Sequence, residues 1–501
     1  MPSHPSGASI LVDDLAVEHG SNLLFENLTF PIHTGWTGIV GVNGAGKSTL
    51  LEVLAGVRAP HHGKVRYLRP LPRVAYVPQR PETFPDLGPL ESIPWYKGYF
   101  ELDEAVLERW ADASPGERRR WQLASILASE PDLLLLDEPT HHLDARTRSL
   151  FIEGLQSFSG VGVLVSHDRV LLDTLCGSTL RLHGGQGQLW PGGWTEARQS
   201  WEQQERTTRQ QIELLQEQRR SLKVAIDGAT RRKDGAEAQK SAKRRMRNPN
   251  DNDNRACPAK NLADWAAAGA GRERGRLLQR LETLERERSA LEYPPHAAEP
   301  LFFQGAPASR SWLADLRTPE VCAPNGTVIL NDVDLRVHRE ARIWVSGDNG
   351  SGKTTLVRAL VDTIRTSEVF GRLLWFSQEP PSAGQAAQQL AELSSLPKEQ
   401  RDAAFRVLAT LGAQIGSLRH SSAPSPGEAR KIELAVGLAK SPWWIVLDEP
   451  QNHLDLPTLE RLEAALREFP GAVLTISHDP GFLRGFWTER WRVGEGRVVR
   501  E

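Results

Sequence analysis

The chain of 501 residues has little cysteine: Cys176, Cys257 and Cys322 are its three, and no two of them form a CxxC pair. That argues against a zinc site or an iron–sulfur cluster built on closely spaced thiolates, and it suits a reducing compartment. No hydrophobic run approaches the roughly 18 residues of a membrane span. The stretch from Met1 to Phe30 lacks the charged, apolar and small-residue pattern of a leader peptide. Charge of one sign is not in excess either, with a formal net charge of −2. These absences predict a soluble, cytoplasmic protein. The length exceeds what one core supports, so two domains plus extra segments are expected.

What is present is repetition. Ser-Pro-Gly-Glu occurs at Ser114 to Glu117 and again at Ser425 to Glu428, each time ahead of an amphipathic stretch. Serine is a good N-cap, proline is tolerated at the first helical position, and a glutamate three residues after the cap completes a capping box. Both copies therefore predict a helix start. There Gly116 or Gly427 would let an anionic ligand approach free backbone N–H groups.

The surrounding segments repeat as well. GVNGAGKST (Gly41 to Thr49) answers GDNGSGKTT (Gly347 to Thr355), LLLLDEPTHHLD (Leu133 to Asp144) answers WIVLDEPQNHLD (Trp444 to Asp455), and LVSHD (Leu164 to Asp168) answers TISHD (Thr475 to Asp479). The lysines Lys47 and Lys353 are 306 positions apart, and the later landmarks are all 311 apart. A duplicated domain is expected, with a period far too long for a solenoid.

Each repeated element carries chemistry. The glycines Gly41, Gly44 and Gly46, with Asn43, and Gly347, Gly350 and Gly352, with Asn349, make two phosphate-binding loops between an apolar strand and a helix. In such a loop Lys47 or Lys353 reaches the β and γ phosphates, and the hydroxyl of Ser48 or Thr354 ligates Mg²⁺, with Thr49 and Thr355 completing the set. Asp137 and Asp448 end buried strands and suit the Mg²⁺ shell; Glu138 and Glu449 suit a base that polarises the attacking water. Because neighbours on a strand point to opposite sides, the paired acids are expected to do different work. His167 and His478, each at the same interval past its aspartate, suit a γ-phosphate contact. Gln79 and Gln378 fit residues that sense metal and phosphate.

Between the repeats the composition turns polar and helical. Ile212, Leu215, Leu222 and Ile226, then Leu277, Leu281, Leu284 and Leu291, form two stripes separated by the breaker Asn248 to Asn254. An antiparallel helical hairpin is expected, about 40 residues a side and about 60 Å long. Residues 196 to 293 hold 22 Lys and Arg against 16 Asp and Glu, and Arg231 to Arg247 alone hold eight basic against two acidic residues. Such a surface could track RNA phosphates, and few aromatics interleave for base stacking.

Phosphate loop, Gln, Ser-x-Gly-Glu, Asp-Glu and His in that order resemble an ATP-binding cassette (ABC) ATPase, present twice over about residues 8 to 190 and 315 to 500. The resemblance implies an α/β fold of two P-loop cassettes in tandem, in which the Ser-x-Gly-Glu signature faces the phosphate loop of the opposite domain. Ser425, Gly427 and Glu428 would then close over ATP held by Lys47, and Ser114, Gly116 and Glu117 over ATP held by Lys353. Pro115 and Pro426 depart from the family's usual glycine, each removing a donor, and His141 and Gln451 replace its usual Asn and Thr. The adenine-facing residue stays open: His19 lies upstream in the first domain, while VCAPNG (Val321 to Gly326) offers no aromatic in the second.

Tandem cassettes joined by a charged hairpin look like the ABC-F family, whose members bind the ribosomal tRNA exit site. The expected boundaries are 1–195 for the first cassette, 196–300 for the hairpin and 301–501 for the second. The implied cofactors are ATP and Mg²⁺. The implied partner is the ribosome, its rRNA and P-site tRNA, met through the hairpin by a monomer whose own cassettes pair, with no membrane partner. The short interval from Lys47 to Gln79 leaves no room for the extra arm of translational-throttle members, and the stretch from His478 to Glu501 is too short for a C-terminal coiled coil. An antibiotic-resistance ribosomal-protection member is expected, with a housekeeping factor for stalled ribosomes or the ATPase subunit of a drug exporter as the alternatives.

Overall fold

A computed structural model describes residues 8–19, 22–67, 73–79, 84–85, 87–88, 91, 95–140, 143, 145–240, 258–291, 307–379, 381–413, 426–452, 454–479 and 481–501. Ser425, His141, Cys257 and the breaker Asn248 to Asn254 lie outside them. The chain divides into two compact units, one formed by residues 1–198 with 298–501 and the other by residues 199–297.

In the first unit each repeat builds the same layered α/β body. The first begins with β1 (Ala8–His19) and β2 (Asn22–His33), an antiparallel pair, followed by β3 (Gly35–Gly41) and the helix Lys47–Leu54. Then come β4 (His62–Tyr67), β5 (Val74–Val77), the helix Pro115–Ala128, β6 (Leu133–Asp137), β7 (Val161–Val165), β8 (Cys176–His183) and β9 (Gln186–Pro191). Strands β5-β6-β7-β3-β8-β9 form a six-stranded sheet, parallel except for the β8–β9 hairpin, while β4 extends the β1–β2 sheet. His19 closes β1. Continuous apolar runs such as Leu133 to Leu136 are buried on both faces, as parallel strands covered by helices require.

The second repeat follows the same path. It comprises β10 (Trp312–Cys322) paired with β11 (Val328–His338), β12 (Arg342–Ser346), the helix Lys353–Asp362, β13 (Leu373–Phe376), the helix Pro426–Ala439, β14 (Trp444–Asp448), the helix Leu456–Glu468, β15 (Ala472–Ile476), β16 (Glu489–Gly494) and β17 (Arg497–Arg500). Its sheet order, β13-β14-β15-β12-β16-β17, matches the first position for position. In both, the strands ending in Gln, Asp-Glu, His and the glycine loop are neighbours and parallel, so all four motifs emerge at one sheet edge. The carboxyl ends of parallel strands are where such sheets hold ligands.

The second unit is helical. The helix Trp194–Lys240 runs 47 residues and the helix Pro258–Ala290 runs 33, about 70 and 50 Å at 1.5 Å per residue. They are antiparallel: Arg219 Nε donates to Glu285 Oε1 at 3.0 Å, and further along Arg232 Nη2 donates to Glu273 at 2.9 Å. Ile212 and Leu284 of the expected stripes are buried, whereas the other six are half-buried. The two sides are less equal than the periodicity suggested.

Candidate nucleotide sites

In each glycine loop the backbone enters the left-handed region that only glycine adopts without strain. Gly44 and Gly46 have φ of +82° and +88°, and Gly350 and Gly352 of +78° and +97°. Gly46 and Gly352 each sit immediately ahead of the first helical residue. Space is also closed to a side chain, since a Cβ on Gly41 would meet Leu182 O at 2.4 Å and one on Gly347 would meet Val493 O at 2.1 Å. Lys47 Nζ donates to Gly41 O (2.9 Å) and Val42 O (3.1 Å); Lys353 Nζ donates to Gly347 O (2.9 Å) and Asp348 O (2.7 Å). Each ammonium is thus held over its own loop. Burial lowers the Lys47 pKa, against the pull of the Glu138, Asp455 and Asp137 carboxylates.

Ser48 and Thr354 occupy the next helical position, with Thr49 and Thr355 beside them. Thr354 Oγ1 donates to Asp448 Oδ2 at 2.8 Å, and the Ser48 hydroxyl hydrogen-bonds Asp137. The other carboxylate oxygens, Asp137 Oδ1 and Asp448 Oδ1, are buried without a hydrogen-bond partner among the described residues. A hydroxyl and a spare carboxylate oxygen beside a glycine loop are the donor set a divalent cation bound to phosphate requires, so these residues fit ATP with Mg²⁺.

The two acids are separated by a device that alternation along a strand did not foresee. Strands β6 and β14 end at Asp137 and Asp448, and the next residue turns into the left-handed region, φ +45° at Glu138 and +47° at Glu449. That conformation costs a non-glycine residue on the order of 1–3 kcal/mol and is characteristic of functional sites. It carries each glutamate to its histidine: Glu138 Oε1 lies 3.2 Å from His167 Nε2, and Glu449 Oε1 lies 3.4 Å from His478 Nε2. Glu138 Oε2 also accepts from His167 N at 3.2 Å.

Gln79 lies two positions past the end of β5 with an exposed side chain, and Gln378 lies likewise past β13, half-buried. Their backbones are pinned by residues the motifs did not single out. Arg119 Nη1 and Nη2 donate to Pro78 O (3.0 Å) and Gln79 O (2.7 Å), while Arg430 Nη2 donates to Ser377 O and to Gln378 O (2.8 Å). Both arginines are fully buried, each five positions past its signature serine. The signal was present, since the same residue type recurs at the same 311 spacing. Burial lowers the Arg119 guanidinium to about 10, with Asp137 and Glu138 opposing.

The first signature helix starts as its sequence predicts. Ser114 Oγ accepts from Glu117 N at 3.2 Å, Glu117 Oε2 accepts from Ser114 N at 2.8 Å, and Pro115 opens the helix beside Gly116. Glu117 is held at about 2: burial would raise it, but Ser114 and Arg109 outweigh burial. In the second copy Gly427 and Glu428 are described. Gly427 abuts the first cassette, where a Cβ would stand 2.7 Å from Asn43 Nδ2. Asp455 joins it there, as its Oδ2 accepts from Asn43 N at 2.9 Å and lies 3.5 Å from Lys431 Nζ. Asn43, Gly44 and Lys47 of the first repeat thus share a site with Gly427 and Asp455 of the second. Asp455 ends the NHLD stretch and caps the helix Leu456–Glu468, accepting from Thr458 N at 2.9 Å, and of its two roles only the cap is legible in the sequence.

Glu138, His167, Glu449 and His478 line one cavity of about 50 Å³ together with Asp168, Asp479, Arg148, Thr140, Leu143, Gln451 and Asn452.

The family described as ABC transporter matches the chain twice, over residues 25–141 and 330–452. The chain is 28% identical to the Energy-dependent translational throttle protein EttA of Escherichia coli (strain K12), over 521 aligned positions that take in 89% of this chain and 84% of that protein. It is 27% identical to the Ribosome protection protein VmlR of Bacillus subtilis (strain 168), over 95% of this chain and 84% of that protein. Among solved structures, one of the complex of archaeal ribosomal stalk protein aP1 and archaeal ribosome recycling factor aABCE1 superposes with a TM-score of 0.58 at 18% identity, over 97% of this chain and 89% of that one, a likeness of fold. No helix among the described residues is long and apolar enough to cross a membrane.

Proposed function

We infer, from this chain's membership of the ABC-F group of ATP-binding cassette proteins and its activity as an ATP hydrolase, that it works on the ribosome in the cytoplasm, coupling ATP turnover to its hairpin. The observation that carries this reading is the basic antiparallel hairpin between two cassettes that, among the described residues, have no membrane-spanning helix beside them. In our reading the protein binds as a monomer at the tRNA exit site, and the hairpin meets rRNA and the P-site tRNA near the peptidyl-transferase centre. Its outcome is protection against an antibiotic. The relatives named for throttling and for ribosome protection are equally similar, so the short Lys47 to Gln79 interval is what favours protection over a throttle.

The chemistry assigned to each site follows from its residues. Bound together, ATP supplies the phosphoryl group and Mg²⁺ the charge neutralisation. Lys47 and Lys353 would exchange their loop carbonyls for phosphate oxygens. Ser48 with Asp137, and Thr354 with Asp448, would hold the metal, with Gln79 and Gln378 beside it. Glu138 and Glu449 orient the attacking water and take its proton, while His167 and His478 fix those carboxylates and the γ-phosphate. Gly427, and in the mirrored site Gly116, bring a helix N-terminus to the phosphates from the other cassette. Hydrolysis then releases the cassettes and moves the hairpin.

Co-sedimentation with ribosomes in ATP and in ADP, alongside membrane fractionation, tests the partner. ATP-dependent pelleting with ribosomes supports the reading, and partition into membranes would favour an exporter subunit. Susceptibility of a sensitive host expressing the protein decides between protection and a general translation role.

A further inference from the structure

The two repeats share their chemistry but not the charges beside it. In the first, His167 and Asp168 lead into Arg169; in the second, His478 and Asp479 lead into Pro480. Arg169 starts a short helix, Arg169–Leu175, that Asp168 caps by accepting from Leu171 N at 3.0 Å. The Arg169 side chain crosses to the second cassette. Its Nη1 lies 3.0 and 3.1 Å from the two carboxylate oxygens of Glu463, and its Nη2 lies 4.0 Å from Glu460 Oε1. The same Glu460 oxygen is 2.5 Å from Arg198 Nη1, and Arg198 is the fifth residue of the helix Trp194–Lys240.

Glu460 and Glu463 stand on the helix Leu456–Glu468, whose cap Asp455 holds Asn43 N. One helix of the second cassette, with its cap, therefore touches the glycine loop of the first cassette, Arg169 two residues past His167, and Arg198 in the first turns of the helix Trp194–Lys240. Among the described residues the arrangement has no mirror image, and Ser149 and Ile152 stand where Glu460 and Glu463 would be 311 positions earlier. The Arg169, Glu460 and Glu463 side chains are 19, 18 and 14% exposed, so the pairing is poorly screened, and removal of one partner leaves an uncompensated charge.

We propose that Glu460 and Glu463 are positioning residues that act across the cassette boundary: through Arg169 they hold His167 against Glu138, and through Arg198 they tie the Lys47 site, and not the Lys353 site, to the hairpin helix. The proposal rests on the assignment of Glu138 and His167 to the Lys47 site. Coupling between sites needs an element whose position both ends bias, and a single helix bonded at three places supplies one. The ion pairs contribute no atom to the reaction; they fix where the histidine stands.

The test uses the full chain with one site silenced at a time. In Glu449→Gln, where turnover belongs to the Lys47 site, adding Arg169→Ala should lower kcat about tenfold with KM within about twofold. In Glu138→Gln the same change should leave the parental rate within about twofold, and Arg169→Lys, which keeps the charge, should retain at least half the rate in either background. Hydrogen exchange supplies a readout independent of activity: Glu460→Gln with Glu463→Gln should speed exchange at amides 169–175 and 194–198 and leave 481–486 unchanged. Equal losses in both backgrounds, or unchanged exchange at 169–175 and 194–198, would overturn the latch. Silence of both single-site parents would instead overturn independent turnover at the two sites, and the exchange measurement would still decide the latch.

Discussion

Glu138 and Glu449 end the same motif with the same backbone turn, yet their carboxyl groups differ. At Glu449 burial favours the neutral form, but His478, the amide of Asn452 and Lys353 outweigh it and hold the pKa below the usual glutamate range. At Glu138 burial, and after it the charge of Asp137, push the pKa up to about 8, against Lys47 and the backbone N–H of His167. Burial and then Lys47 depress His167 to about 3, so it meets Glu138 as a neutral imidazole. The comparison teaches that a motif specifies geometry while residues outside it specify protonation. Cation charge placed beside Asp137 would weaken the second cause acting on Glu138.

The largest effect should come from removing both carboxylates at once. Glu138→Gln with Glu449→Gln is expected to cut ATP turnover more than about a hundredfold while ATP binding persists, and to increase the fraction pelleting with ribosomes in ATP. Rapid release of the double variant from ribosomes, or ordinary turnover, would remove both residues from the role assigned to them.

A smaller effect isolates one corner. Gly427→Val puts a branched side chain where even a Cβ would stand 2.7 Å from Asn43 Nδ2, so turnover at the Lys47 site should fall about tenfold while the Lys353 site is spared. Measured in Glu449→Gln and Glu138→Gln backgrounds, equal losses would contradict the sharing of the first site.

How far the sequence could be read follows the same division. Strand-loop-helix order, both signature helices and the grouping of Lys, Asp, Glu and His were legible because each depends on local pattern or on repetition. The left-handed turn at Glu138 was not, since alternation along a strand is the only rule the sequence offers there. Arg119 and Arg430 escaped notice because an arginine in a charged stretch resembles a solvated face; only the fold shows each guanidinium buried against two carbonyls. Asp455 could be read as a cap but not as a partner of Asn43, which is 412 positions away.

Asp455 also gives the contact between repeats a pH signature. Burial would raise its carboxyl, but Lys431, the Thr458 side chain and Asn43 N hold it at about 2, against 3.8 for the free group. A depressed carboxyl contributes stability above its unfolded pKa and loses it as pH falls through the folded value, so the loss belongs between about pH 4 and pH 2. Asp455→Asn should therefore be less stable than the parent by on the order of 2 kcal/mol from pH 7 down to about pH 5, and the gap should close below about pH 4. Denaturant unfolding of both proteins across that range checks the sign; a gap that widens in acid would rule out the ion pair with Lys431 as its source.

The smallest expected effect bears most directly on the difference between the corners. Asn452 is an amide donor to Glu449, and the position 311 earlier is His141. Asn452→Leu removes that amide from the second corner. With that donor lost, burial is opposed by His478 and Lys353 alone, and the Glu449 carboxyl should rise. A base with a higher pKa is ionised over less of the neutral range, so in a Glu138→Gln background the rising limb of the pH–rate profile should move to higher pH. Turnover at pH 7 should then fall about threefold, with the plateau at high pH within about twofold of the parent. A uniform loss at every pH would mean that Asn452 supports the loop around Glu449 and does not set its charge; an unshifted, undiminished profile would leave His478 as the group that keeps the two corners apart.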